Sequence, residues 1–212
     1  MKNLIVFGDS WPAGADLQDP QKDSFPTILA QKLNLNCKNL SQGGTSIDHA
    51  VIRFLETNIS DSMVLFCTTG YARTMKIDGD QIFEVHPQDP AMEWYYTRLY
   101  SDKLGNLNRI KNCLLVQEIC KNKKIPVYFA SNWDPLPSHT LIDQEQWCPK
   151  TFMQMISAGP CNPDYQVDWA NVNRKYMIKR SSHPNEEGHR LIAEELYIWI
   201  NSQLTTKWLS SI

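Results

Sequence analysis

Near its beginning the chain runs Leu4-Ile5-Val6-Phe7-Gly8-Asp9-Ser10-Trp11-Pro12-Ala13-Gly14. Four apolar residues, two of them β-branched, predict a short strand that is buried on both faces, and Gly8 ends the pattern. A glycine before a polar pair lets the chain turn sharply as it leaves the sheet. We therefore expect Ser10 to be exposed at the carboxyl end of this strand, the edge where open α/β sheets bind their ligands.

Further apolar runs alternate with helical patterns along the chain. The predicted strands are 36–40, 63–67 and 127–130, and the predicted helices are 20–33, 46–58, 107–121 and 185–204. Strands that alternate with helices in this order favour a parallel sheet with helices on both faces. The length of 212 residues suits one α/β domain, so we predict a single domain over 1–212.

Two loop-rich insertions interrupt the alternation, at about 76–105 and 131–180. At the first insertion, the turn residues at 78–80 favour a hairpin over 75–85. Both insertions leave the carboxyl ends of predicted strands, so we expect them to cover Ser10. They contain most of the aromatic residues outside the predicted core, including Trp94, Trp133 and Trp169. Flat rings beside polar residues suit the apolar faces of sugars, but they equally suit the anchoring of long loops to a domain. Both interpretations stay open.

The bulk composition limits the class of partner. The net charge of -2 lacks the excess of positive charge that is typical of proteins that bind nucleic acid or an anionic membrane. We therefore expect a small-molecule or glycan ester as partner; the oligomeric state is not determined by the sequence. The four apolar residues before Gly8 are too few for the core of a signal peptide, so a cytoplasmic location is expected, with a virion or release by lysis as alternatives.

The six cysteines are scattered without close pairs. In a chain without an export signal, reduced thiols are the expected state. No Cys-x-x-Cys or His-x-x-x-His spacing occurs, and neither a P-loop nor a Gly-x-Gly-x-x-Gly motif is present. We therefore predict no metal site and no cofactor.

A possible base for Ser10 lies far along the chain, in His183-Pro184-Asn185-Glu186-Glu187-Gly188-His189. A serine hydroxyl needs an adjacent base to become a nucleophile at neutral pH. The two segments, Gly-Asp-Ser-x-x-x-Gly after a strand and His-Pro before the last helix, resemble the first and last signature blocks of the GDSL or SGNH hydrolases, which are serine esterases and lipases. The alternative for His183 is a surface histidine that caps the helix. His189, further along the same segment, is expected to be structural.

The resemblance implies the fold and the catalytic residues. It implies a flavodoxin-like three-layer α/β/α sandwich with a parallel sheet of about five strands. It also implies that Ser10 is the nucleophile and His183 the base. The family's second block is similar to Asn39-Leu40-Ser41-Gln42-Gly43-Gly44. The implied oxyanion donors are the backbone N–H of Ser10 and that of Gly44, with Gly43 as the near alternative, while a tight turn before a helix is the structural interpretation of the two glycines.

The sequence departs from the family's third block, Gly-x-Asn-Asp. The chain has Thr68-Thr69-Gly70-Tyr71-Ala72-Arg73 after the third predicted strand, so the asparagine is missing. Arg73 could donate to an oxyanion or bind a substrate carboxylate, and it could equally pair with a surface acid. The candidate substrate-binding residues are Asp9, Trp11, Thr69, Arg73 and Trp133.

The second departure concerns the acid of the triad. The family places it three residues before the histidine, where this chain has Arg180. Three replacements stay open: a backbone carbonyl near Arg180, Asp164 or Asp168 from the second insertion, and Asp134 beyond the fourth strand. A Ser-His dyad also retains part of the rate, because the acid mainly sets the tautomer and stabilises the imidazolium.

These observations favour a serine hydrolase that cleaves a carboxylic ester through an acyl-enzyme, with an O-acetyl group on a carbohydrate as the favoured substrate. The alternative is a catalytically impaired protein of the same fold that binds a ligand or has a structural role. The missing asparagine and Arg180 favour the alternative, whereas the presence of both Ser10 and His183 opposes it.

Overall fold

The computed structural model describes residues 1–78, 81–134, 137, 139–157, 174–179 and 181–209. The strands in these ranges are β1 (Asn3–Phe7), β2 (Asn36–Asn39), β3 (Ser62–Thr68), β4 (Thr74–Asp78), β5 (Gln81–Val85) and β6 (Val127–Ser131). The α-helices are α1 (Ser10–Ala13), α2 (Pro20–Asp23), α3 (Phe25–Lys32), α4 (Ile47–Leu55), α5 (Glu93–Arg98), α6 (Asp102–Asn122), α7 (Phe152–Ile156) and α8 (Glu186–Leu209). Short 3₁₀ turns occupy Pro90–Met92, Gln144–Gln146 and Arg174–Tyr176.

The central sheet is parallel, with the strand order β2-β1-β3-β6. Four described strands therefore form it, and a single parallel bridge from Phe129 to Trp147 occupies a fifth position beside β6. The chain leaves β1 towards one edge to form β2 and returns to the other side of β1 to form β3. This reversal creates a switch point at the carboxyl ends of β1 and β3, which is where ligands bind in open α/β sheets.

Alternating side chains of the strands enter two separate cores, one on each face of the sheet. Leu4 and Val6 of β1 pack with residues of α3, α7 and α8 on one face. Ile5 and Phe7 pack on the opposite face with residues of α4 and α6. Both faces of the parallel sheet are thus covered by helices, which explains the continuous apolar strands and confirms the predicted three-layer α/β/α class.

The first insertion contains regular structure. β4 and β5 pair as an antiparallel hairpin, with Thr74 opposite Val85. Glu84 of β5 ties the hairpin to α4: its Oε2 accepts a hydrogen bond from the Ser46 N–H at 2.8 Å, and its Oε1 lies 2.8 Å from His49 Nδ1. The carboxylate sits at the amino end of α4, where the helix dipole favours negative charge.

Several helix boundaries differ from the sequence predictions, and two of the differences have a clear local cause. The predicted helix at 20–33 is divided at Ser24, whose extended backbone ends α2 and begins α3. The predicted helix at 107–121 begins earlier, at Asp102, because the Ser101 side chain caps it by accepting from Leu104 N–H. Among the residues that the structure describes, no helix is long and apolar enough to cross a membrane.

Candidate active site

Ser10 follows the end of β1 as the first residue of α1. The sharp turn requires Gly8: a Cβ there would lie 2.6 Å from Pro12 Cγ and 2.8 Å from Cys67 Cβ. Asp9 caps α1, and its side chain accepts a hydrogen bond from the Trp11 N–H. The predicted location of Ser10 at the carboxyl edge of the sheet is therefore confirmed.

The predicted exposure of Ser10 is wrong, because the residue is only 7% exposed. The glycine-rich loop after β2 comes close to it: a Cβ built on Gly43 would lie 3.8 Å from Ser10 Cβ. This loop is held to the turn by a hydrogen bond from Gln42 N–H to the Gly8 carbonyl, at 3.0 Å. Gly44 has a positive φ of 78° and open space on its Cβ side. The loop thus borders the serine, and the Cβ side of Gly43 faces the Ser10 side chain.

His183 is held on its Nδ1 side by two oxygen atoms. Nδ1 lies 2.7 Å from Asp16 Oδ2 and 3.0 Å from Ser181 Oγ. The Ser181 hydroxyl donates its hydrogen to Asp16 Oδ2 at 2.7 Å, so it can only accept from the imidazole. The network therefore assigns the proton of the neutral ring to Nδ1 and leaves Nε2 with a free lone pair.

Asp16, which no sequence motif marked, is the carboxylate that contacts His183. It follows α1, which ends at Gly14 in the left-handed conformation with φ 74°. Asp16 itself has φ 67°, a conformation that Asp and Asn tolerate better than most residues. Hydrogen bonds from His183 and then Ser181 lower the pKa of this carboxyl below its ordinary value.

The acid and the serine belong to the same short segment. Ala15 N–H donates to the Ser10 carbonyl at 3.0 Å, and Asp16 is the next residue. His183 reaches this segment from a loop that is itself fixed by a bridge between Met177 and Pro184. In the described part of the chain no hydrogen bond joins Ser10 Oγ to His183, whose side chain is 21% exposed. Catalytic hydrogen bonds are often long without substrate and tighten in the complex.

Asp9 lies at the centre of a second buried network. Its carboxylate is 1% exposed and accepts from Thr69 Oγ1 at 2.6 Å and from Arg73 Nη1 at 3.0 Å. The amide nitrogen of Asn132, which follows β6, lies 2.9 and 3.0 Å from the two carboxylate oxygens. The ends of β1, β3 and β6 are thus joined through one carboxylate beside Ser10. This network gives Thr69 and Arg73 an acid partner inside the protein, and it places Asp9 out of direct reach of a substrate.

The two candidate tryptophans have different surroundings. Trp11 is 1% exposed and belongs to a core cluster, so its position argues against substrate contact. Trp133 is half-buried and meets Trp11 edge-on at 5.0 Å between ring centroids. A Cβ on Gly70 would lie 3.7 Å from Trp133 Nε1, so Trp133 borders the loop that follows β3. Trp133 remains a candidate for substrate contact.

Asp134 does not supply the acid for His183. Its carboxylate lies 3.9 Å from Arg109 Nη1, and burial raises the pKa of Asp134 despite the nearby guanidinium. Asp164, Asp168 and Arg180 lie outside the described residues. Among the described candidates, the expectation for Asp134 is therefore wrong, because the carboxylate that contacts His183 Nδ1 is that of Asp16.

Ser10 lies at the switch point of a parallel three-layer α/β/α sandwich, and the same short segment carries an aspartate that contacts His183. This arrangement defines a candidate site of the serine-hydrolase type. Among the described residues, no group of three His, Cys, Asp or Glu side chains is arranged to hold a metal ion. The candidate site itself contains hydroxyl, imidazole and carboxylate groups.

Comparison with solved structures gives the same fold. The chain is similar to the psychrotrophic esterase EstA from a Pseudoalteromonas species, at 16% identity and a TM-score of 0.56, over 97% of this chain and 100% of that one. It is similar to a GDSL-like lipase from Bacteroides thetaiotaomicron, at 13% identity and a TM-score of 0.50, over 95% and 88% of the two chains.

A third similar structure is a two-domain esterase active on acetylated mannans, co-crystallised with mannopentaose. The identity is 15% and the TM-score 0.53, over 96% of this chain and 50% of that one. No protein-family model and no curated protein matches the sequence. At these identities the similarity concerns the fold, and the fold implied by the resemblance to GDSL or SGNH hydrolases is confirmed.

Proposed function

We propose that this chain is a divergent hydrolase of the GDSL or SGNH type, a single domain over residues 1–212 that cleaves carboxylic esters through an acyl-enzyme. The observation that carries the proposal is the 2.7 Å contact between His183 Nδ1 and Asp16 Oδ2. It supplies the acid that the motif lacks, in a segment that begins with Ser10. The fold shared with known esterases supports the same function.

Ser10 is the proposed nucleophile. Its Oγ attacks the carbonyl carbon of the ester while its proton passes to Nε2 of His183. The imidazolium then gives this proton to the leaving alcohol as the carbon–oxygen bond breaks. Water attacks the acyl-enzyme with His183 again as base, which releases the carboxylic acid and restores Ser10. Asp16 keeps the ring in the productive tautomer and stabilises its charged form.

The oxyanion that forms during attack needs donors fixed in advance. The backbone N–H groups of Ser10 and of Gly44 or Gly43 are the proposed donors. The hydrogen bond from Gln42 N–H to the Gly8 carbonyl supports this assignment, because it fixes the glycine loop to the same turn that presents Ser10. The Asp9 network contributes rigidity to this edge, since it ties three strand ends to one buried carboxylate.

The proposed substrate is an O-acetyl ester on a carbohydrate. The aromatic residues of the first insertion suit sugar rings. The similar two-domain esterase, of which this chain spans about half the length, is described as active on acetylated mannans.

The first experiment is labelling with a fluorophosphonate probe beside hydrolysis of p-nitrophenyl acetate. The structure of the similar Pseudoalteromonas esterase was determined with the enzyme inhibited by monoethylphosphonate, which supports this choice of reagent. We expect the wild type to be labelled and Ser10→Ala to lose both labelling and turnover. Ser60→Ala, an exposed serine elsewhere on the surface, is the matched control and keeps both. A folded wild type that is neither labelled nor active contradicts the proposal.

A second candidate function is a catalytically impaired protein that binds an ester or glycan without cleaving it. The observation that favours it is the lack of a hydrogen bond between Ser10 and His183 in the described part of the chain. The same labelling experiment separates the two functions, because an impaired site leaves Ser10 unlabelled although the protein is folded.

A further inference from the structure

A cavity of about 310 Å³ lies beyond Arg73, between the first insertion and helices α4 and α6. Its size is at the lower end of the range for ligand sites and suits one ring-sized group. Its wall contains both flat aromatic rings and hydrogen-bonding side chains. The residues that matter for its chemistry are Asp48, Tyr71, Arg73, Tyr95, Tyr100 and Asn108.

Arg73 connects this cavity with the candidate active site. Its Nη1 donates to Asp9 Oδ2 at 3.0 Å, and Asp9 is the residue directly before Ser10. The same side chain lines the cavity and is 25% exposed. Within the described part of the chain only Nη1 of the guanidinium is hydrogen-bonded, to Asp9 and Thr69. Arg73 therefore retains N–H donors for a ligand in the cavity.

Asp48 supplies acceptors on the cavity wall. Its Oδ1 accepts from the side-chain amides of Asn108 and Asn112, at 3.1 and 2.8 Å. Its Oδ2 accepts from Asn108 at 3.0 Å. Each carboxylate oxygen can accept two hydrogen bonds, so Oδ2 can accept one more from a ligand hydroxyl. The two asparagines also fix the carboxylate in one orientation.

The tyrosines form an ordered aromatic wall. Tyr95 meets Tyr96 edge-on at 5.0 Å between ring centroids, and Tyr100 lies 6.3 Å from Tyr95. Tyr96 is anchored by a 2.7 Å hydrogen bond from its hydroxyl to the Ala72 carbonyl. Rings that are held against one another offer a fixed flat surface at a small cost in side-chain entropy.

The charges around the cavity disfavour an anionic ligand. The positive charge of Arg73 is opposed by Asp9, with which it pairs, and by Asp48 on the same wall. A carboxylate or phosphate would therefore meet no net positive charge. A neutral ligand rich in hydroxyl groups can donate to Asp48 and to the Asn108 Oδ1, accept from Arg73, and place an apolar face on a tyrosine ring.

We propose that this cavity is the binding site for a neutral sugar ring of the alcohol part of the ester. The inference rests on the proposed esterase function and assigns its substrate class to particular residues. Arg73 then couples ring binding to the segment that carries Ser10, because one guanidinium touches both Asp9 and the sugar.

The test compares two acetate esters that differ in the presence of the ring: 6-O-acetyl-D-glucose, whose other hydroxyl groups are free, and ethyl acetate. We expect Asn108→Ala and Tyr95→Leu to lower the ratio of kcat/KM for the sugar ester to that for ethyl acetate by about fivefold or more, the effect of losing one hydrogen bond or ring contact. Lys111→Ala, exposed one turn further along α6, is the control and keeps the wild-type ratio.

An unchanged ratio in both cavity variants overturns the inference and leaves the esterase function standing. An equal loss on both esters also overturns it, because that result indicates a structural role. If the folded wild type hydrolyses neither ester, the esterase function fails. The inference is then decided by calorimetric titration of Ser10→Ala with 6-O-acetyl-D-glucose: binding that Asn108→Ala weakens upholds a sugar site, and no binding overturns it.

Discussion

His183 and His189 lie six residues apart, but their surroundings differ. The His183 side chain is 21% exposed, and its Nδ1 faces the Asp16 carboxylate. His189 is fully buried, and its Nδ1 accepts a hydrogen bond from the Phe25 N–H at 3.1 Å. Its ring also stacks on Phe25 at 5.7 Å. The difference shows that a carboxylate partner and access to solvent, rather than the residue type, determine which histidine can exchange protons with a substrate.

The burial of His189 has an electrostatic consequence. Burial lowers the pKa of His189 to about 3, because the charged imidazolium would lose its hydration. His183 adds to this shift as a nearby positive charge when it is protonated. His189 therefore contributes to packing between α3 and α8 as a neutral ring, while His183 is available for chemistry.

The largest expected effect comes from exchanging the two histidines separately for glutamine. His183→Gln removes the proposed base, so we expect kcat/KM for p-nitrophenyl acetate to fall about 10⁴-fold or more. His189→Gln leaves the chemical groups in place, and we expect activity per folded molecule to stay within a few-fold of the wild type. A similar loss of kcat/KM in the two variants, after correction for the folded fraction, would show that the two histidines do not differ in their importance for catalysis.

The next effect concerns the acid that distinguishes His183. Asp16→Asn keeps the shape of the side chain but removes its charge, and we expect kcat to fall about 10²- to 10³-fold with little change in KM. The expected loss is at the lower end for triad acids because Asp16 is about half exposed. Asp134→Asn is the matched control, since that acid pairs with Arg109 instead. Equal kcat values for the two variants would show that His183 does not depend on Asp16.

The third effect is on stability at acid pH. The pKa of His189 is lower in the folded chain than its ordinary value, so the unfolded chain binds more protons below about pH 6.5. The stabilisation is complete above that pH and decreases as the pH falls towards 3, by about 2 kcal/mol between pH 6 and pH 4. We expect His189→Gln and His189→Leu to flatten this part of the curve in urea unfolding. If the free energy of unfolding of both variants depended on pH as steeply as that of the wild type, the pH dependence could not be due to His189.

The smallest expected effect concerns Ser181, whose hydroxyl contacts both Asp16 and His183. Ser181→Ala removes a hydroxyl that donates to Asp16 Oδ2 and accepts from His183 Nδ1. We expect kcat to fall by about two- to tenfold, the effect of one hydrogen bond. Steady-state kinetics beside Ser60→Ala measure the difference. A loss as large as that of Asp16→Asn would mean that Ser181, rather than the carboxylate alone, orients the ring.

The elements with strong local patterns were predicted well. The apolar run before Gly8 formed β1, and the alternation of strands and helices gave the parallel sheet. Helix ends were less accurate at Ser24 and Asp102, because capping side chains and local backbone angles decide them. The antiparallel hairpin formed where the turn residues predicted it. Helix α5 was not predicted, and it shows that a segment without clear periodicity can still hold regular structure when it packs on a scaffold.

The candidate site was predicted only in part. Ser10 and His183 stood out because a strand end and a helix start mark them in the sequence. Asp16 and Asn132 did not, because their roles depend on contacts to residues 167 and 123 positions away. The one local indication for Asp16 was a residue type that tolerates positive φ two positions after Gly14.

By itself the sequence determined the sheet, the serine at its carboxyl edge and a histidine before the last helix, because periodicity, glycine turns and capping act over a few residues. Only the tertiary structure decided which acid meets His183 and that Asp9 ties three strand ends together. These outcomes depend on how the loops at the ends of separate strands converge. The spacing of residues along the chain does not predict how these loops converge. Their positions depend on the close packing of helices on the two faces of the sheet.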